Sequence, residues 1–277
     1  MKLIRLQLTY QAMSDAVLPG QLGSMLRGIF GETLYEFNQD LFSKFFEPKI
    51  PKNNPVYKLV MNNPPAPFMF YPVKKYNFVR EGEKIKFNFT LFGEYRHFKL
   101  QVEEVFQFMG KKRWNNGKLS VKMLESKILP EKNGEIVYDW NNYKNIEINT
   151  QKTSLEFKTP VSIAHNKKLI SDFEFERLFG FLYRRMFILD NAYGDGIIKE
   201  QHNYDFGQLN IYPEYINLQR VNIFRHSTRN QKHPMTGWKG KLTYKGNFND
   251  ILTYLIFGQY VHIGNYTVFG LGKYTIK

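Results

Sequence analysis

Along "KLIRLQLTYQ" apolar and polar side chains alternate, so a predicted strand puts Ile4, Leu6, Leu8 and Tyr10 on one face and Arg5, Gln7 and Thr9 on the other. The period then changes. In "LPGQLGSMLRGIFGETLYEF" Leu22, Met25, Leu26, Ile29, Phe30 and Leu34 recur at helical spacing, and Pro19 suits a first turn. Gly23, Gly28 and Gly31 each cost such a helix about 1 kcal/mol relative to Ala, which makes sense if another backbone or a ligand comes close. "NNPPAPFMFYP" is a Pro-bounded extended segment, and "EKIKFNFTLF" is the clearest strand, with Ile85, Phe87, Phe89 and Leu91 on one face. A helix over "HFKLQVEEVFQFMG" and a glycine-rich stretch lead into a strand from Lys118 to Leu124. Strand, helix, strand, strand, helix, strand is the split βαβ order of a ferredoxin-like fold.

A polar, Asn-rich stretch from Pro130 to about Thr150 reads as a linker, after which the order resumes. "SLEFKTPVSI" is a strand, and "DFEFERLFGFLYRRMFIL" is a helix with Phe175, Leu178, Phe179, Leu182 and Met186 on one face. "NLQRVNIFR" and "GWKGKLTYKG" are the middle strands, "NFNDILTYLIFGQYVH" the second helix, and "YTVFGLGKYTIK" the closing loop and strand. Gly117 and Gly272 are 155 positions apart, and each is followed by Lys, a variable residue, Ser or Thr, Val or Ile, then Lys. The expectation is an α+β chain with two tandem ferredoxin-like domains, 1–150 and 151–277, the second ending in a glycine-rich loop.

Charge narrows the partner. The 277 residues hold 39 Lys and Arg against 25 Asp and Glu, a formal charge of +14 that attracts polyanions. Aromatic residues make up 17% of the chain and many adjoin basic ones, as in "GKKRW", "FLYRRMF" and "GKYTIK", a pairing suited to stacking on bases while holding phosphates. Nucleic acid is therefore favoured over an anionic membrane, for which the strands supply no amphipathic basic helix. No apolar run approaches the ~20 residues of a spanning helix, and the alternating start does not read as a signal peptide. A cytoplasmic protein is expected. The absence of Cys excludes disulfides, thiolate zinc sites and a cysteine nucleophile.

The glycine-rich loop before the last strand admits two readings, a backbone cradle for an anion with Lys273 at its rim, or a tight turn. It lacks the G-x-x-x-x-G-K-[ST] spacing of a P-loop, so nucleotide hydrolysis is not supported. "FRHSTRNQKHPMTGWKGKLTY" is the densest set of reactive types, with Arg225, His226, Ser227, Arg229, Gln231, Lys232 and His233 in an expected loop between two strands. Such a loop could set an acid or base beside phosphate-binding arginines, or be merely solvated. No carboxylate lies near this His pair, and its spacing matches no familiar metal set. His97, His165, His202 and His262 read as structural, and "DNAYGDG" as a turn. Arg184 and Arg185, adjacent on a helix, cannot both face the core.

Together "LPGQLGSMLRGIFG", "FFEP", "PPAPFMFYP", "GEKIKFNFTLFG", "FKTPVSI", "RHSTRNQ" and above all "VHIGNYTVFGLGKY" resemble the CRISPR-associated endoribonucleases of the RAMP superfamily that process precursor CRISPR RNA. The resemblance covers nearly the whole chain. It implies two RRM-related domains around a basic cleft for CRISPR repeat RNA. It further implies metal-independent cleavage without a cofactor, in which the 2′-hydroxyl attacks and leaves a 2′,3′-cyclic phosphate and a 5′-hydroxyl. Many members place a His near the end of the first helix; "GIFGETLYEFNQDLFSKFF" has none, and Tyr35 and Lys44 are the substitutes there. The catalytic candidates are His226 and His233, with Tyr35 and Lys44 as alternatives. Arg27, Arg184, Arg185, Arg225, Ser227, Arg229, Gly270, Gly272 and Lys273 are the expected RNA contacts. A monomer or homodimer acting alone or in a CRISPR effector complex is expected, the rival reading being a non-catalytic subunit that only holds guide RNA.

Overall fold

The structure is a computed structural model that describes residues 1–129, 137–143, 150–165, 168–198, 210–226, 232–249 and 251–277. Two compact units emerge. One comprises Lys2–Tyr138 with Ala192–Gly194, the other Met1, Asp139–Asn191 and Asp195–Lys277.

The first unit runs β1 (Lys2–Ala12), α1 (Leu22–Phe37), α2 (Gln39–Phe46), β2 (Phe68–Pro72), β3 (Lys84–Phe92), α3 (Lys99–Met109) and β4 (Leu119–Ile128). Its sheet has the order β2-β3-β1-β4, with a short strand at Arg113–Trp114 beyond β4 and antiparallel neighbours throughout. The alternation in β1 and β3 sets the register: Leu6 opposes Phe89, Leu8 opposes Phe87 and Tyr10 opposes Ile85, all buried. Phe30 from α1 meets this face among Phe68, Phe70, Phe89 and Phe106, with ring centroids 5.2 to 5.7 Å away. Edge and offset ring contacts of this kind each add about 0.5–1.5 kcal/mol to the burial itself.

The second unit runs β5 (Lys152–Val161), α4 (Phe175–Tyr193), β6 (Tyr212–His226), β7 (Lys232–Lys245), α5 (Leu252–Gly258) and β8 (Tyr274–Ile276). Its antiparallel order is β6-β7-β5-β8. Counted within each unit, both sheets read second, third, first, fourth strand. Leu155, Phe157, Leu182, Met186, Leu242 and Leu255 fill the core. Two buried tyrosines close it: the Tyr244 hydroxyl donates to the Phe173 carbonyl at 2.7 Å and the Tyr274 hydroxyl to the Leu255 carbonyl at 2.6 Å. Burial raises both phenols above their ordinary range.

Several elements differ from the sequence pattern. Lys44 lies not on the first helix, which ends at Phe37, but on a separate helix, α2, capped by the Asn38 side chain, which accepts from the Leu41 amide at 2.9 Å. Pro19 lies ahead of the helix, which begins at Leu22. The second helix of the C-terminal unit is shortened to Leu252–Gly258. Residues 137–143 are not a solvated linker: Trp140 and Tyr143 are buried, packing on Phe257 at 5.6 and 5.2 Å. The middle strands of the second unit also run further than their patterns suggest, carrying Arg225, His226, Lys232 and His233 into the ladder instead of a loop. No helix among the described residues is long and apolar enough to cross a membrane.

Candidate nucleic-acid interface

Arg27, Gly31 and Tyr35 recur every four residues and so share one stripe of α1. Gly31 is what lets α2 lie flush: a β-carbon there would meet Phe46 Cζ at 2.7 Å. The glycine that weakens the helix thus makes room for an aromatic ring. Arg27 covers the same ring with its guanidinium carbon 4.7 Å from the centroid, a cation–π contact. Phe42 stacks on Phe46 at 4.9 Å and 6°, and Tyr35 meets Phe42 at 5.2 Å and 86°. The result is a continuous ridge from Arg27 through Phe46 and Phe42 to Tyr35, whose side chain is half exposed. Phe46 also touches the core ring of Phe68 at 5.4 Å, which anchors the ridge.

Lys44 takes another direction, its Nζ lying 5.3 Å over the Phe98 ring while its carbonyl accepts from the Tyr95 hydroxyl at 3.0 Å. Burial, reinforced by Glu94, pushes that phenol up to about 12. Glu32 and Glu36 on α1 are turned to Lys112, 3.9 and 2.6 Å away.

In the second unit Arg225 opposes His233 and His226 opposes Lys232 at the last rungs of the β6–β7 ladder. Ser227 and Arg229 lie outside the described residues. Below these rungs, Ile223 and Met235 pack with Val268, Phe269 and Leu271. The far end of the hairpin is therefore seated on the glycine-rich loop. Sequence reasoning missed the rest of this hairpin: Arg220, Lys239 and Lys241 are exposed, as are Tyr212, Tyr215, Ile216 and Phe224. The available signal was the loss of alternation in "YPEYINLQRVNIF", which marks a strand solvated on both faces.

The glycine-rich loop is buried and internally satisfied. Gly270 (φ +89°) and Gly272 (φ +72°) adopt left-handed conformations, and a β-carbon on Gly272 would collide with the Ile263 carbonyl oxygen. The Gly270 amide donates to Thr267 O at 2.8 Å and the Gly272 amide to Pro160 O at 2.9 Å. Thr159 Oγ1 donates to Gly270 O at 2.8 Å and accepts from the Lys273 amide at 2.9 Å. Lys273 Nζ donates to Gln259 O at 2.5 Å and lies 5.7 Å from the Tyr260 ring. These three amides thus have protein acceptors in this conformation, and the exposed residues of the loop are Asn265 and Tyr266. His262 is buried, with Nδ1 3.1 Å from Leu271 O.

The paired arginines of α4 diverge. Arg184 is exposed, whereas Arg185 Nε donates to Val261 O at 2.7 Å. Burial lowers the Arg185 guanidinium to about 10, still charged at neutral pH. The candidates thus form separate groups: Arg27 and Tyr35 on the α1 stripe, Lys44 against Phe98, the hairpin rungs, and the Thr159-centred loop.

Comparison with known proteins gives these groups a context. By fold, the chain is similar to two Cas6 product complexes, one of them of Thermus thermophilus Cas6, with TM-scores of 0.66 and 0.63 at 14% and 16% identity. The matches cover 98% and 100% of this chain and 99% and 100% of those chains. A Cas6-related protein from Pyrococcus furiosus matches with TM-score 0.55 at 11% identity, over 99% of this chain and 98% of that one. By sequence, no curated protein matches. Residues 1–151 match the AF_1859_N family model, described as an N-terminal domain. Residues 155–274 match the model of the CRISPR-associated endoribonuclease Cas6, a family whose members are endoribonucleases that process precursor CRISPR RNA.

Proposed function

We propose that this chain cuts CRISPR repeat RNA without a metal ion, by attack of the 2′-hydroxyl on the adjacent phosphorus. The new bond is P–O2′ and the broken one P–O5′. A base removes the 2′-proton, an acid protonates the departing 5′-oxygen, and the products carry a 2′,3′-cyclic phosphate and a 5′-hydroxyl. His226 and His233 are the proposed acid and base, with Arg225 and Arg229 neutralising charge at the phosphate. The observation that supports this reading is the match of residues 155–274, which contain both histidines, to the Cas6 endoribonuclease model. Arg184 is exposed for a phosphate, and Gly270, Gly272 and Lys273 give the loop its shape beside the RNA.

The strand order common to both units supports a reading as tandem ferredoxin-like domains divided near residue 150. Related structures with product and with a substrate mimic, and one in a Cas6-RT-Cas1–Cas2 complex, support repeat RNA as the ligand and a CRISPR assembly as the setting.

Labelled repeat RNA incubated with the protein in EDTA tests the reaction. Cleavage that survives chelation and yields cyclic-phosphate ends is expected, and a 2′-deoxy group at the scissile nucleotide should abolish it. Cutting of the 2′-deoxy substrate would overturn the mechanism. Tight binding of an intact repeat would instead make the chain a non-catalytic holder of guide RNA. His226→Ala and His233→Ala should each slow cleavage by roughly 10² or more. Full activity in both would remove the hairpin from the chemistry and leave Tyr35 and Lys44 as its candidates.

A further inference from the structure

We infer that the ridge on α1 and α2 is a stacking subsite for one unpaired base of the RNA, with the Tyr35 ring as the platform and Arg27 as a cation for the backbone alongside. The inference rests on the reading of this chain as a repeat-RNA binder and adds a role in affinity that the cleavage chemistry does not require.

Three observations carry it. The ridge is preformed. Phe42 and Phe46 stack nearly parallel at 4.9 Å, and Phe46 is seated on the core ring of Phe68 and against the backbone at Gly31, where no β-carbon intervenes. Tyr35 ends this series on Phe42 with its ring half exposed, so a base can be received without reordering the platform. A large aromatic held rigid in water has little folding value, since its exposed half buries nothing.

The charge on the stripe is complementary to RNA. Arg27 lies on the same face of α1 as Tyr35, two turns away or about 12 Å along the axis, and its guanidinium is laid flat on Phe46. The acidic residues of this helix, Glu32 and Glu36, are turned to Lys112. Stacking on an aromatic face with a guanidinium nearby tolerates any base, because every base has a π-face. The ligand is therefore a single-stranded nucleotide of the repeat, not a paired stem, whose bases are already stacked on each other.

The test measures the affinity of the full chain for a repeat RNA made uncleavable by a 2′-deoxy group at the scissile nucleotide. Tyr35→Leu should weaken binding roughly 5- to 150-fold, the worth of one base–aromatic stack, while Tyr35→Phe binds as the parent does. One abasic nucleotide, moved stepwise through the repeat, should weaken the parent at one position and leave Tyr35→Leu no weaker there. Equal binding by Tyr35→Leu, equal weakening by Tyr35→Phe and Tyr35→Leu, or additive losses at every abasic position would each overturn the subsite. Failure of the parent to bind repeat RNA would instead overturn the functional reading beneath it. Unchanged thermal unfolding of Tyr35→Leu is expected from its exposed position, and a fall in Tm matching its loss of affinity would assign the effect to folding and overturn the subsite.

Discussion

At Gly117 a β-carbon would have nothing within 4 Å, whereas at Gly272 it would run into the Ile263 carbonyl. Both glycines precede a closing strand, both have positive φ (+83° and +72°), and both are followed by Lys. The first loop is a solvated turn in which Asn115, Asn116 and Gly117 are left-handed in succession, with Asn115 Nδ2 donating to Val17 O at 2.7 Å. Its one deeply held residue is Trp114, which is buried and donates to Met109 O at 3.0 Å. The second loop is part of a core, tied through Thr159 and packed beneath the hairpin. One sequence pattern thus serves a conformational need in one unit and a packing need in the other.

Substitutions should separate these roles. Gly272→Ala is expected to have the largest effect, a loss of about 3–5 kcal/mol from steric collision and backbone strain, read as a large drop in Tm or failure to accumulate folded protein. A fall no greater than that of Gly117→Ala would break the contrast. Thr159→Val should come next, at about 1–3 kcal/mol, because the Gly270 carbonyl and the Lys273 amide lose their shared partner. Thr159→Ser should recover most of that loss in the same unfolding measurement.

Gly117→Ala meets no neighbour and should cost only the left-handed conformation, about 1–2 kcal/mol. Smallest is Lys112→Ala, which releases Glu36 at the surface and should change stability by less than about 1 kcal/mol, a difference that shrinks further in high salt. A salt-insensitive loss larger than that of Gly117→Ala would show that the basic stretch before the first loop has a structural role that its exposure does not suggest.

The same contrast explains what could be read from the chain. The large side chains of β1 and β3 fall mostly on one face, so polarity alternates along both strands and the strands are legible from that alternation. β6 has little cover beyond Ile223: from Tyr212 to Phe224 every side chain is at least partly exposed, and polarity no longer reports orientation. Its ends are therefore indistinct in the sequence, which places His226 and His233 in a loop. Asn38 sets Lys44 on a helix of its own, a break that rests on one capping side chain. Gly31 was legible as a close approach but not as one to Phe46, since a glycine announces the space without naming its occupant. The chemistry of "RHSTRNQKH" was visible as residue types, but its geometry depends on rungs far from any periodic signal.

β6 is also an edge strand, fifteen residues long, with β7 on one side and no partner strand on the other among the described residues. In an antiparallel pair, backbone N–H groups point alternately toward the neighbour and away from it. Successive amides of β6 consequently belong to two populations, one sheltered by the ladder and one open to solvent deuterium. Anything that settles along this edge would register first as slowed exchange of every second amide, before any side chain reports contact.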